Sequence, residues 1–340
     1  MNIKQRILTG SIASRITALA GLAVLAAVPP SRADDTIDTT GGITISAPTN
    51  IGANVAATNV IGAGTLTLNG AGTVGLGNNG PNHLVNLNMT GGLIDVQTGV
   101  NLQNGGWSDG VWTANLASMN VASGATLDVW DGNAVRIDAL TGAGSVTISP
   151  AFGPGWAGNR SLVIGVNNGG GTFSGNITGN SGNADGGNLS LTKNGSGTEI
   201  LTGANTYAGT TTVSGGTLQI GTGGNSGSLG TGNVTNNAAL VFNRSDTYTV
   251  SNAIGGSGTV TVTGGGTAVF TNTKTYGGTT TVNGGILQLN VGNTSGTLAG
   301  DGAIVINNGG TLSSGAIDGL GYFNHTARGR IFSDAVSRRC

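Results

Sequence analysis

The densest cluster of charged side chains in the sequence lies between residues 128 and 138. Paired carboxylates beside a cation can carry out general acid–base work on polysaccharides or bind Ca²⁺. On an alternating strand, four side chains of this cluster are expected to point outward together: Asp128, Trp130, Arg136 and Asp138. The alternative is a solvated strand and turn, because Asp131 is followed by Gly132 and Asn133, which favour turns. The sequence favours this structural interpretation.

The four tryptophans of the chain lie within fifty residues of one another: Trp107, Trp112, Trp130 and Trp156. An exposed tryptophan surface can stack on sugars or contact a partner protein. We therefore consider a carbohydrate or partner contact formed by Trp107, Trp112 and Trp130 with Asp128 and Asp131. Large aromatic side chains are usually buried, so the alternative is a wider, well-packed section of core.

Other signals for chemistry are weak. The two histidines, His83 and His325, have no cysteine or carboxylate motif beside them, so no metal site is predicted. A GxGxxG pattern at residues 75–80 leads into a strand-like run rather than a helix, which excludes a dinucleotide loop. We predict no catalytic residue, no cofactor and no enzymatic activity.

Composition indicates which elements must position any such site. The chain has 340 residues, including 66 glycines, and 8% of its residues are charged, against about 25% in an ordinary soluble domain. Glycine is mixed with Thr, Ser, Asn, Val and Ile, which favours short strands and tight turns in an all-β fold. Residues 34–327 carry five basic and thirteen acidic side chains, so nucleic acid is not an expected partner.

The N-terminal segment is predicted to be a signal peptide covering residues 1–33. Lys4, Arg6 and Arg15 precede an apolar run at residues 16–28, and cleavage is expected between Ala33 and Asp34. Thirteen apolar residues are too few to cross about 30 Å of hydrocarbon. The sequence therefore predicts export and no transmembrane segment in the mature chain.

Internal repeats determine the predicted architecture. Residues 197–220 and 266–289 are identical at 14 of 24 positions, at an offset of 69 residues. A Gly-Gly or Gly-Ala pair followed by an apolar strand recurs as well, and the spacings suggest a period of about 23 residues, three of which make 69.

Each predicted unit alternates apolar and polar side chains, as in Thr-Leu-Thr-Leu at residues 65–68. Alternation buries one face, and a unit of this size must stack on its neighbours to bury it. We predict a right-handed parallel β-helix, or β-solenoid, with apolar side chains inside and Thr, Ser and Asn outside.

Residues 191–221 (LTKNGSGTEILTGANTYAGTTTVSGGTLQIG) closely resemble the autotransporter-associated β-strand repeat. Residues 260–290 match less well, since Asn272 and Lys274 replace a Gly and an Asn, and residues 296–315 resemble the segment that follows such repeats. The resemblance implies the passenger domain of a type V secretion autotransporter, here without its C-terminal β-barrel. The chain is predicted to have four regions: the signal peptide, N-terminal coils at 34–190, repeats at 191–315, and a tail at 316–340 whose Arg-rich composition departs from the family. The tail is expected to be truncated or frameshifted.

The leading functional hypothesis is a non-enzymatic exported rod that serves as surface scaffold, adhesin stalk or matrix component. Its expected partner is a host or matrix surface ligand, with self-association through the open edge of the C-terminal coil. The expected location is the cell surface or the medium if a barrel is supplied, and otherwise the periplasm. The alternatives are a protein that binds or degrades polysaccharide through residues 107–156, and a remnant without present function.

Overall fold

The computed structural model describes residues 15–16, 35–51, 57–76, 84–104, 110–130, 134–148, 160–179, 188–289, 298, 302–307, 309–314 and 331–333. Every regular element in these ranges is a β-strand, and every strand pair is parallel. The predicted all-β parallel solenoid is therefore confirmed.

The strands are short and follow one another closely along the chain. The first half contains β1 (Arg15–Ile16), β2 (Asp35–Asp38), β3 (Ile43–Ser46), β4 (Thr49–Ile51), β5 (Ala57–Gly62), β6 (Thr65–Asn69), β7 (Gly72–Leu76), β8 (Leu84–Met89), β9 (Leu93–Val96), β10 (Val100–Asn104), β11 (Gly110–Val111), β12 (Ser118–Val121), β13 (Thr126–Asp128), β14 (Val135–Ile137), β15 (Leu140–Gly142), β16 (Ser145–Thr147) and β17 (Arg160–Ile164). The second half contains β18 (Thr172–Phe173), β19 (Asn176–Ile177), β20 (Leu189–Lys193), β21 (Thr198–Leu201), β22 (Thr211–Val213), β23 (Thr217–Ile220), β24 (Val234–Asn236), β25 (Ala239–Asn243), β26 (Thr247–Val250), β27 (Ile254–Gly255), β28 (Thr259–Thr263), β29 (Thr267–Phe270), β30 (Thr280–Asn283), β31 (Gly285–Leu289), β32 (Ile304–Ile306), β33 (Gly310–Ser314) and β34 (Ile331–Ser333).

From β2 to β19 the strands occur in triplets, and each triplet makes one three-sided turn of the solenoid. The first side holds the sheets β1-β2-β5-β8-β11 and β14-β17-β20-β22-β24-β27. The second side is one 13-stranded sheet, β3-β6-β9-β12-β15-β18-β21-β23-β25-β28-β30-β32-β34. The third side holds β4-β7-β10-β13-β16-β19 and, further along, β26-β29-β31-β33.

Inward-facing apolar side chains from all three sides form one continuous core. In β6, for example, Leu66 and Leu68 are 1% exposed, while the alternating Thr65 and Thr67 face outward. The alternation in the sequence thus predicted which side chains are buried.

The length of a turn varies along the solenoid. One turn separates Gly142 from its ladder partner Phe173, and a turn shorter by more than a third separates Leu201 from its partner Ile220. The period predicted from the sequence therefore describes the average turn, while the repeats themselves occupy shorter turns.

This shortening corrects the interpretation of the offset between the two repeats as three turns. In the first repeat β21 and β23 belong to the second side and β22 to the first side. In the second repeat the corresponding strands β29 and β31 belong to the third side and β30 to the second side. Because turns in this part of the chain are shorter than the predicted period, the offset covers three turns plus one further side.

The corner between the second and third sides is closed by tightly stacked backbone. A Cβ atom placed on Gly175 would lie 1.8 Å from the carbonyl oxygen of Gly144, and one on Gly203 would lie 1.8 Å from that of Gly175. No other residue fits such a column. The connections at this corner up to β19 have two to four residues.

The corner between the third and first sides is different. Up to β20, its connections between strands have five to twelve residues. In a repeat protein, insertions that gather on one edge are often used for binding. We call this edge the insertion corner.

Candidate functional site

Trp112 is a core residue. Its side chain is 1% exposed, and its indole Nε1 donates a hydrogen bond of 2.8 Å to the Oδ1 atom of Asn104, which is also buried. The expectation that Trp112 forms an exposed sugar-stacking surface is therefore wrong. The alternative of a well-packed core section holds for this tryptophan, because burial with a partner for the N–H is the favourable state of an indole.

Asp128 does not form an exposed carboxylate. It lies between the inward-facing Leu127 and Val129 at the third-side end of β13, and yet it is fully buried. Gln103, its neighbour in the ladder, donates from Nε2 to Asp128 Oδ2 at 3.4 Å. The side chain is thus enclosed and paired rather than offered to a ligand.

The rest of the charged cluster does not converge with Asp128. Arg136 belongs to β14 on the first side of the solenoid, because the chain passes the insertion corner between β13 and β14. Asp138 Oδ1 accepts backbone N–H bonds of 2.7 Å from both Asn167 and Gly169, so it closes a turn of the next coil. The predicted outward grouping of these side chains is corrected: Asp128 and Arg136 lie on different sides, and the carboxylates of Asp128 and Asp138 have structural partners.

Trp130 is the predicted contact residue that keeps partial exposure. It lies at the insertion corner directly after β13, and the Nε atom of the buried Arg160 donates a hydrogen bond to its carbonyl oxygen. Trp107, Asp131 and Trp156, together with the predicted cleavage site at Ala33 and Asp34, lie outside the described residues.

Two charged side chains that the sequence analysis did not single out point into the core. Lys193 ends β20 and Glu199 lies in β21, and both are fully buried. Burial raises the pKa of Glu199 to about 8 and lowers the pKa of Lys193, while attraction between the two opposes both shifts. A signal was available: strict alternation from Leu189 and Leu191 places Lys193 on the inward face.

The two repeats share a buried tyrosine. Tyr207 and Tyr276 each form a hydroxyl–hydroxyl hydrogen bond with the threonine four residues later, at 2.8 Å to Thr211 and 2.6 Å to Thr280. Burial raises the pKa of both phenols. This paired arrangement explains why the Tyr and Thr positions are identical in the two copies.

The repeats differ two residues before the tyrosine. In the first repeat Asn205 accepts the backbone N–H of Ile177 and donates to the carbonyl of Ser228, at 2.8 and 2.7 Å. In the second repeat Lys274 takes this place, is 1% exposed, and donates to the carbonyl oxygens of Val250 and Asn272. Burial lowers the pKa of Lys274 to about 8.

Within the described ranges, no group of three or more His, Cys, Asp or Glu side chains is placed to hold a metal ion. The same part of the chain contains no helix long and apolar enough to span a membrane.

Comparison with known proteins relates the chain to a repeat family and to an adhesin. The Passenger-associated-transport-repeat family matches residues 191–220 and 256–289. The Adhesin BmaC autotransporter of Brucella suis biovar 1 (strain 1330) is 32% identical over 173 residues, which is 46% of this chain and 5% of that adhesin. No solved structure gives a significant match. The resemblance predicted from the sequence is confirmed: the chain carries an autotransporter passenger-type solenoid.

Proposed function

Starting from this autotransporter passenger-type solenoid, we propose that the chain is an exported, surface-associated adhesive rod without enzymatic activity. The observation that carries the proposal is the similarity of nearly half the chain to an autotransporter adhesin, combined with a parallel solenoid that can hold a contact surface away from the cell.

The geometry favours the insertion corner as the contact surface. At the corner between the second and third sides, the stacked backbone of Gly144, Gly175 and Gly203 leaves no space for an added side chain. Connections at the insertion corner are longer, and the partly exposed Trp130 lies there. A rod whose longer connections lie along one edge is suited to side-on attachment to a host or matrix surface.

The non-enzymatic assignment rests on the state of the candidate catalytic groups. Asp128 is buried against Gln103, and Asp138 is occupied by two backbone amides. Neither carboxylate is placed to transfer a proton to a substrate.

Adhesion is tested with beads coated with the full chain and washed over surfaces of matrix protein or of neutral and acidic polysaccharide. We expect retention on matrix protein several-fold above that of beads carrying the same amount of denatured chain. Equal retention of both bead types would refute the adhesive role. Retention on polysaccharide alone, abolished by Trp130→Ala, would instead support the polysaccharide-binding alternative.

Surface location is tested separately by antibody labelling of intact cells that express the complete gene. Labelling of intact cells supports display, whereas labelling only after the outer membrane is opened would place the chain in the periplasm.

A further inference from the structure

The solenoid has a structural junction around β18 to β23. β18 and β19 have two residues each, and the third side has no strand between β19 and β26. The described residues 202–210 run along the third side there without joining a sheet. The junction separates the N-terminal coils from the coils of the repeats.

Side chains replace part of the missing backbone ladder at the junction. Asn176 accepts the backbone N–H of Ala204 at 2.9 Å, and Asn205 accepts that of Ile177 at 2.8 Å. The hydroxyl of Ser228 then accepts the N–H of Asn205 at 2.7 Å. A ladder held by side chains has fewer backbone hydrogen bonds than a full sheet, so local opening there breaks fewer bonds.

The same coils contain the buried charges. Glu199 points inward beside Leu218 of the next turn, and its Oε2 atom accepts the backbone N–H of Leu140 at 3.4 Å. Its Oε1 atom is buried without a hydrogen-bond partner. The backbone amides of Leu140 and Gly171 favour the ionised carboxylate, but burial outweighs both, so ionisation of Glu199 in that position is unfavourable.

The charged groups that act on Glu199 come from two other elements. Lys193 at the end of β20 attracts it, and Asp138 after β14 repels it. Lys193 is itself held by the carbonyl oxygens of Asn194, Gly195 and Gly215 and makes no ion pair within 4 Å of a carboxylate in the described part of the chain. The Lys193 ammonium is therefore hydrogen-bonded to backbone carbonyls at the corner and attracts Glu199 only from a distance.

We propose that Lys193 and Glu199 make this junction a proton-controlled weak point, which opens locally when Glu199 ionises while the flanking coils stay folded. Protonated Glu199 can remain in the core, whereas access to water stabilises the ionised carboxylate. The rod then consists of two stable blocks joined by a segment that loosens in alkaline solution.

The direction in which pH changes the stability of the closed junction follows from the raised pKa of Glu199. The closed junction holds its proton up to about pH 8, whereas an open junction releases it near the ordinary value of 4.5. Stability from this group is complete below pH 4.5 and is lost as the pH rises to 8. Between pH 6 and pH 9 the opening equilibrium is expected to rise by up to about 90-fold. The lowered pKa of Lys193 acts in the opposite direction, so Lys193→Met should expose the full effect of Glu199.

The test is hydrogen–deuterium exchange of the full chain at pH 6 and pH 9, corrected for intrinsic exchange rates. Junction reporters are the amides of Ile200 and Thr202, which donate to Gly171 and Phe173. Control reporters are the amides of Leu93 and Ser118 in the N-terminal coils, which donate to Gly64 and Gly92. Glu199→Gln removes the titration with little change of shape, and Lys274→Met removes a buried cation elsewhere.

We expect protection of the junction amides to fall tens-fold at pH 9 in the wild type, to stay constant in Glu199→Gln, and to fall in Lys274→Met as in the wild type. The control amides should keep their protection throughout. Equal protection at both pH values, or a loss shared by junction and control amides, would overturn the proposal. Because the wild-type comparison needs no variant, a Glu199→Gln protein that fails to fold leaves the test valid.

Discussion

Replacement of Lys274 by methionine tests how a single buried cation affects the second repeat. The Lys274 side chain is 1% exposed, donates 2.9 and 3.3 Å hydrogen bonds to two carbonyl oxygens, and lies 4.9 Å from the ring centre of Phe270. No carboxylate of the described chain forms an ion pair with it. The amine is therefore easier to accommodate when it is neutral.

The size of the pH-dependent change in stability follows from the pKa of Lys274, which burial lowers from 10.5 to about 8. The folded state binds fewer protons than the unfolded state between these values. Stability from the group is therefore complete above pH 10.5 and is lost as the pH falls to 8. Without screening, the loss of folding free energy from Lys274 between pH 10 and pH 7 is about 2.5 kcal/mol. Screening in real protein interiors reduces it, so we expect about 1–2 kcal/mol.

The assay is urea denaturation of wild type and Lys274→Met at pH 7, 8, 9 and 10, followed by circular dichroism. The variant should gain stability relative to the wild type as the pH falls, by the amount given above. Ionisation of other groups in the unfolded chain affects both proteins equally and cancels in the difference. Lys274→Asn, which introduces the residue of the first repeat, is the matched control and should show the same trend. A difference in stability that does not change with pH would refute the reasoning.

Three further substitutions test the packing. Tyr207→Phe removes the buried hydrogen bond to Thr211 and should lower the free energy of unfolding by about 1 kcal/mol, measured by urea denaturation; no loss would show that the bond contributes nothing net. Gly64→Ala should prevent normal folding of the N-terminal coils, because its Cβ would lie 1.7 Å from the carbonyl oxygen of Thr39. Gly224→Ala is the control, since nothing lies within 4 Å of its added Cβ, and its melting temperature should stay close to the wild-type value. Equal behaviour of the two alanine variants would contradict the stacked geometry.

Much of the fold was predictable because alternation and burial follow the same rule in every turn. The Thr-Val-Thr-Val-Thr run of β28 has its two valines fully buried, as the pattern predicts. A parallel ladder needs only this period and corners that glycine can form. Neither the alternation nor the glycine corners depend on residues distant in the chain, so both can be predicted from the sequence.

The position of the repeats around the solenoid was not predictable, because turn length is set by corners rather than by strands. A small shortening of each turn accumulates over three turns to a whole side. The prediction that the charged side chains of residues 128–138 point outward together was wrong for a related reason. The chain passes a corner between Asp128 and Arg136, and alternation carries no information across a corner.

The buried charges could have been found from the pattern. Lys193 and Glu199 occupy inward positions of β20 and β21, where the neighbouring inward residues are Leu191 and Leu201. Charged residues are rarely buried unless they are paired, so an inward lysine or glutamate marks an unusual position. What the sequence does not contain is which carbonyls and amides meet these groups, since those come from other turns.

The one-side displacement between the repeats gives the rod the character of a screw. Insertion of one more unit, as long as the offset between the two copies, would lengthen the rod and also rotate every coil beyond it by one third of a revolution. The insertion corner before and after the new unit would then face different directions. Changes in repeat number would therefore alter the direction in which distant surfaces face as well as their distance along the rod. Three added units would be needed to restore the original direction.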